Sequence, residues 1–256
     1  MPQIIAITNQ KGGVGKTTTA INLTACLARQ KKRILLIDCD PQGNATTGSG
    51  VDKNSVEKGL DAILAGECNI NEAIIKTAHA YDVIASNSDL TAAEVGLMQK
   101  KNRSHLLKQA INEIKNEYDY IIIDCPPALN TLTLNALVAA NYLLIPMQCE
   151  YFALEGLAAL LSTMQQVQQH LNPQLQLLGV LRTMFDPRSR LASEVSKQLL
   201  QYFGDKVFRV SIPKNIKLAE APSHGLPVNS YARLSVGSKA YMVLAEEIIV
   251  KQGATV

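Results

Sequence analysis

The chain has 256 residues, 47% of them hydrophobic, and a formal charge of +3, which is ample material for a sizeable core and too little net charge to name a partner. No run of 18 apolar residues occurs, and the richest region, LNALVAANYLLIPM, is broken by Asn135, Asn141 and Pro146, so neither a membrane span nor a signal peptide is expected. Five cysteines without C-x-x-C spacing signal neither a disulfide framework nor a zinc site and fit a reducing cytoplasm.

The first β-branched run, IIAIT at 4–8, reads as a strand and is followed by helix-compatible spacing over 16–30. RILLIDCD (33–40) and YDVIAS (81–86) are the next strand candidates, ahead of a helical stretch over 90–116. YDYIIIDC (118–125), a helix over 129–140, YLLIPMQ (142–148) and a helix over 153–170 come next. LQLLGVLRTMF (175–185), a helix over 190–203, KVFRVSIP (206–213) and a helix over 236–251 complete the series. Several of the strands are apolar throughout, the pattern of strands covered on both faces. The alternation predicts one α/β domain over 1–256, a mostly parallel sheet with helices on both faces.

Ligands of such sheets gather at the carboxyl ends of the strands. The stretch KGGVGKTT, residues 11–18, joins the first strand to the first helix and reads as a phosphate loop of a P-loop NTPase. It lacks the usual first glycine, having Gln10 there, and gains a second lysine, Lys11. Gly12, Gly13 and Gly15, with Val14 between them, are expected to take positive φ and turn their N–H groups inward, making an anion cup extended by the helix N-terminus. Lys16 would reach the β and γ phosphates of ATP, Thr17 would offer its hydroxyl to Mg²⁺, and Thr18 would hold the α phosphate.

Asp124, closing IIIDCPP, is placed to orient water on the metal. In DCDPQGN, Asp38 and Asp40 lie two residues apart and can face one side of the turn. One of them positions an attacking water, or both serve turn chemistry. Cys39 and Cys125 beside these acids read as buried small hydrophobes, and the four scattered histidines suggest no ligand set. The window 182–217 carries eight basic residues (Arg182, Arg188, Arg190, Lys197, Lys206, Arg209, Lys214, Lys217) against Asp186, Glu194 and Asp205. That is either a solvated surface or the footprint of a polyanion.

The set KGGVGKTT, LLIDCDPQGN, YIIIDCPP, QCEYFALEG, DPRSRL and IPKNIKLAEAPSHG closely resembles the ParA/Soj family of chromosome-partition ATPases, within the deviant Walker-A group that also holds MinD and the nitrogenase iron protein. The resemblance implies an ATP-dependent sandwich dimer in which Lys11 crosses to the partner's nucleotide. It assigns Lys16 as the loop lysine, Thr17 as the Mg²⁺ hydroxyl, Asp40 as the water-positioning carboxylate and Asp124 as the acid of the second nucleotide motif. Both acids would reach the metal through water. Pro213 and Asn215 fall where the family lines adenine. Arg188 and Lys217, with the neighbouring Arg190 and Lys214, fall where it meets double-stranded DNA non-specifically. The implied partner is a DNA-bound ParB-like activator of slow hydrolysis, and the implied location is the cytoplasm and nucleoid.

Two other readings share the fold. A MinD-like membrane cycle calls for a basic amphipathic carboxyl-terminal helix, whereas the tail here is AEEIIVKQGATV. A metabolic enzyme would need a substrate pocket that the motifs do not disclose. Because only seven residues precede Thr8, no separate DNA-reading domain is expected ahead of the loop.

Overall fold

The computed structural model describes residues 2–253. Seven strands form one sheet: β1 (Gln3–Ile7), β2 (Ile34–Asp38), β3 (Ile74–Lys76), β4 (Asp82–Ile84), β5 (Tyr120–Asp124), β6 (Tyr142–Gln148) and β7 (Gln176–Thr183). Their order is β3-β4-β2-β5-β1-β6-β7, and every pairing is parallel except β3 with β4. The register pairs Ile7 with Asp124 and Asp38 with Asp124, so the carboxyl ends of β1, β2 and β5 finish at one level. From β1 the chain moves to one side for β2 and to the other for β6, which makes this end a topological switch point.

Along each central strand, alternate residues enter two separate cores, which is why the strands are apolar throughout. Ile5, Ile7, Ile34, Leu36 and Ile122 pack against helices α1 (Lys16–Arg29), α2 (Asn44–Gly48), α9 (Ile216–Glu220), α10 (Val228–Tyr231) and α11 (Val236–Gly253). Ala6, Leu35, Ile37, Ile121 and Ile123 pack against α3 (Leu60–Ala65), α4 (Asp89–Leu97), α5 (Leu106–Ile114), α6 (Thr131–Ala139), α7 (Ala153–His170) and α8 (Arg190–Phe203).

The helix expected over 90–116 is two, α4 and α5, because buried Asn135 of α6 takes up the backbone between them: its amide donates to the Arg103 carbonyl at 2.6 Å and its carbonyl accepts the Leu107 N–H at 3.2 Å. The segment expected as a strand over 206–213 is not a strand of the sheet: Val207 bridges Val180 of β7, Pro213 bridges Phe185 just past it, and the Phe208 and Ile212 N–H groups donate to the Val180 and Arg182 carbonyls. Around Arg209, side chains take the place of ladder bonds. Arg182 donates to the carbonyls of Phe208 and Arg209, and Glu247 accepts from the N–H groups of Arg209 and Val210. Arg182 is therefore a buried bolt inside the basic window rather than part of its surface. The short antiparallel edge β3 and the short helices α2, α3, α9 and α10 carry too few residues to impose a period on the sequence.

Gly179 sits where β6 and β7 slip register between Leu143 and Leu144. A Cβ there would lie 2.7 Å from the Lys206 carbonyl oxygen and 2.8 Å from the Phe208 ring, so glycine allows the 206–208 backbone its close approach. Gly179→Ala is expected to lower stability by about 1–3 kcal/mol, read as a lower urea midpoint. Gly156→Ala in α7, where a Cβ meets nothing, should not lower it.

Candidate nucleotide site

The loop 11–18 crosses the carboxyl ends of the central strands. Gly13 and Gly15 have φ of 74° and 85°, as the cup requires; Gly12 is not in the left-handed region, a correction to the expectation for all three glycines. A Cβ on Gly12 or Gly13 would meet nothing within 4 Å, and one on Gly15 only a methyl at 3.9 Å. Tight packing of strand on helix therefore does not explain the glycines. The first turn of α1 has no side-chain cap and no acidic residue, leaving its amides to an anion.

Two staples hold the loop in shape. The Thr183 hydroxyl, at the end of β7, donates to the Val14 carbonyl at 2.8 Å. Asn9 donates to the Pro146 carbonyl at 2.8 Å and accepts the Lys11 N–H at 3.0 Å. Neither residue stood out in the sequence, because a lone Asn or Thr at a strand end is ordinary.

The two lysines take opposite positions. Lys16 is 7% exposed and its ammonium donates to the Lys11 carbonyl at 3.1 Å. Burial lowers its pKa, against the opposing pull of Asp124 and Asp40. Lys11 points outward, and its ammonium pairs with Glu150, just past β6. Glu150 is a site neighbour with no chemical pattern around it in the chain to single it out.

The three aspartates divide as well. Asp38 is fully buried and accepts from the Thr46 N–H and hydroxyl, both at 2.8 Å, and from the Asp40 N–H at 3.1 Å. It anchors the 40–46 turn. Burial pushes its pKa up to about 6, opposed by the bonds from Thr46 and the Asp40 N–H and reinforced by the Asp40 charge. Asp40 is half-buried at the rim, one carboxylate oxygen accepting the Gln42 N–H at 3.0 Å. Asp124 is fully buried, and neither of its carboxylate oxygens has a hydrogen-bond partner. Burial, then the Asp38 charge, drives its pKa well above the carboxylate range, with Thr17 and Lys16 pulling the other way. An orphaned hard-oxygen ligand beside the Thr17 hydroxyl suits a magnesium ion. The thiols of Cys39 and Cys125 are buried and pushed well up by burial, as expected of small hydrophobes.

Beside the loop lies a cavity of ≈ 420 Å³ bounded by Gly15, Thr18, Met184, Pro213, Asn215 and Tyr241, a size and lining suited to an organic ligand. The structure thus brings Pro213 and Asn215 to the loop from about two hundred residues away along the chain. Lys214 is exposed at its edge. Arg188, Arg190 and Lys217 lie on the surface outside it, each paired with an acid.

A family profile described as an AAA domain matches residues 2–177. Soj of Bacillus subtilis, a sporulation initiation inhibitor protein, is 50% identical over 249 residues, 97% of this chain and 98% of that protein. The chromosome partitioning protein ParA of Caulobacter vibrioides is 46% identical over 253 residues, 98% of this chain and 95% of that protein. Among solved structures, cobyrinic acid a,c-diamide synthase of Mycobacterium smegmatis, with an ATP analogue and magnesium bound, matches with a TM-score of 0.85 at 34% identity, over 96% of this chain and 93% of that one. The diamide synthase shares the scaffold, but about half the residues are shared with the partition proteins over nearly their whole length, and the chain belongs to the ParA/Soj family of chromosome-partitioning ATPases.

Proposed function

We propose that this protein is an ATP-driven partition switch: Mg·ATP binding joins two copies in a sandwich dimer, the dimer holds DNA non-specifically, and slow hydrolysis releases it. The division of labour between the two lysines carries this reading. Lys16 lies inside its own cup, whereas Lys11 stands half-exposed on the outer face, where a second subunit's nucleotide could receive it.

In the ATP complex, the amides of Gly12 to Thr18 and the first turn of α1 bind the phosphates. Lys16 leaves the Lys11 carbonyl for the β and γ oxygens and balances charge as the bond to the γ phosphate breaks. Thr17 directly, and Asp40 and Asp124 through water, would hold Mg²⁺, which supplies charge neutralisation at the β and γ oxygens. Asp40 keeps one carboxylate oxygen for the attacking water, Thr18 meets the α phosphate, and Pro213 and Asn215 take the adenine. ATP and water give ADP and phosphate. Arg188, Arg190, Lys214 and Lys217 contact DNA phosphates, and two subunits double a weak patch. A ParB-like partner on DNA stimulates turnover in the cytoplasm, at the nucleoid.

A MinD-like membrane cycle is less well supported. No helix among the described residues is long and apolar enough to cross a membrane, and Tyr241, Leu244, Ala245 and Ile248 commit one face of α11 to the core, although Ala254–Val256 lie outside the described residues. A metabolic reading leaves the basic surface without a role.

DNA co-sedimentation should show retention with ATP, little with ADP or no nucleotide, and a steep fall with salt; equal retention without nucleotide overturns the coupling. Asp40→Ala should keep DNA binding. Lys16→Ala should lose it and weaken ATP binding about 10- to 100-fold. Lys11→Ala should bind ATP near normally in calorimetry, yet fail to form a sound dimer by light scattering or to hydrolyse normally.

Asp124→Asn should raise the melting temperature of the nucleotide-free protein while reducing the further gain from Mg·ATP. A carboxyl whose native pKa is raised binds its proton more tightly when folded, so stability falls as pH climbs from the unfolded pKa to the raised native one. The gain from Asp124→Asn should therefore be larger at pH 8 than at pH 5, and an equal shift at both would contradict a raised native carboxyl pKa.

A further inference from the structure

Three of the four basic side chains assigned to DNA are already bonded to carboxylates of this chain. The Arg188 guanidinium makes a two-bond fork on Asp186, at 2.9 and 2.8 Å, and the Arg188 N–H closes the turn onto the same carboxylate at 3.0 Å. Those hydrogen bonds hold the Asp186 pKa down at about 2. Arg190 donates to Glu194 at 3.2 Å across one turn of α8. Lys217 donates to Glu220 at 2.8 Å, and Glu220 is held by a second donor, the Tyr231 hydroxyl at 3.0 Å. Lys214 is exposed with no ion-pair partner among the described residues.

A carboxylate in a guanidinium fork occupies the geometry a phosphate would take. For Arg188 to present the same two-bond edge to a DNA phosphate, Asp186 must be displaced and left to solution cations; with the fork kept, its remaining N–H groups meet the phosphate with their charge already partly balanced. The cation released from the DNA is then offset by one taken up at the carboxylate, and that contact adds little to the salt-dependent driving force.

We infer that Asp186, Glu194 and Glu220 are built-in counterions that temper the DNA surface, keeping a single subunit's grip weak so that retention depends on the two surfaces of the ATP dimer. This rests on the DNA reading above and specifies how that surface is regulated. The three acids act through their basic partners; they are positioning residues and touch no phosphate themselves.

The test is binding of the full-length protein to random-sequence duplex DNA, by fluorescence anisotropy over a salt series, with and without ATP. Asp186→Asn, Glu194→Gln and Glu220→Gln are compared singly and together with Glu117→Gln, which makes the same charge change just ahead of β5, at the opposite end of the sheet. Each opened pair is expected to tighten binding about two- to fivefold and to steepen the salt slope by about 0.9. The triple variant should also bind without nucleotide, and Glu117→Gln should do none of this. A triple variant indistinguishable from Glu117→Gln, with the wild type binding DNA only in ATP, overturns the inference and leaves the DNA reading intact. No binding by either wild type or triple variant sinks both; binding by the triple variant alone supports the masking. Unchanged melting temperature and DNA-free ATPase rate establish that each variant is folded.

Discussion

The parallel register that ends β1, β2 and β5 at one level is the constraint on which the site rests. It places Asp38 and Asp124 side by side at the bottom of the loop, both fully buried. Two carboxylates so close and so dry cannot both be charged cheaply. The fold resolves this unevenly, bonding Asp38 three times over to the 40–46 turn and leaving Asp124 with no well-formed hydrogen bond and only the Thr17 hydroxyl close by. One acid fixes the rim of the site; the other is left without a comparable anchor. The instability at Asp124 is thus local, created by the same ladder that makes the centre of the sheet its most regular part.

The phosphate loop shows the same economy. Its glycines are not demanded by packing, since added Cβ atoms meet almost nothing, and its helix starts without a cap. What holds the loop lies elsewhere, in Asn9 and in Thr183 at the end of β7. The cup is preorganised by bonds on its outer side, leaving the inner amides free.

Much of this was legible in the sequence, for physical reasons. Strands covered on both faces must be apolar throughout, so β1, β2, β5 and β6 could be read directly, and acids ending such strands stand out. The 206–213 segment misled because its composition suits a strand while several of its backbone groups are taken by the side chains of Arg182 and Glu247, partners set by tertiary structure. The break between α4 and α5 depends on Asn135, well outside either helix. Glu150 and Thr183 were silent because their significance lies in what they touch. The net charge of the basic window was legible; that Arg182 is internal, and that three of its neighbours are paired, was not.

The bond between Thr183 and Val14 joins more than a loop to a strand. Within a handful of residues after Thr183, the chain passes through Met184 in the wall of the cavity and reaches Asp186 and Arg188 on the surface. The same backbone therefore holds the phosphate loop, walls the cavity beside it and roots the basic loop. A displacement of the loop at Val14 reaches that root through one hydrogen bond and a few peptide units.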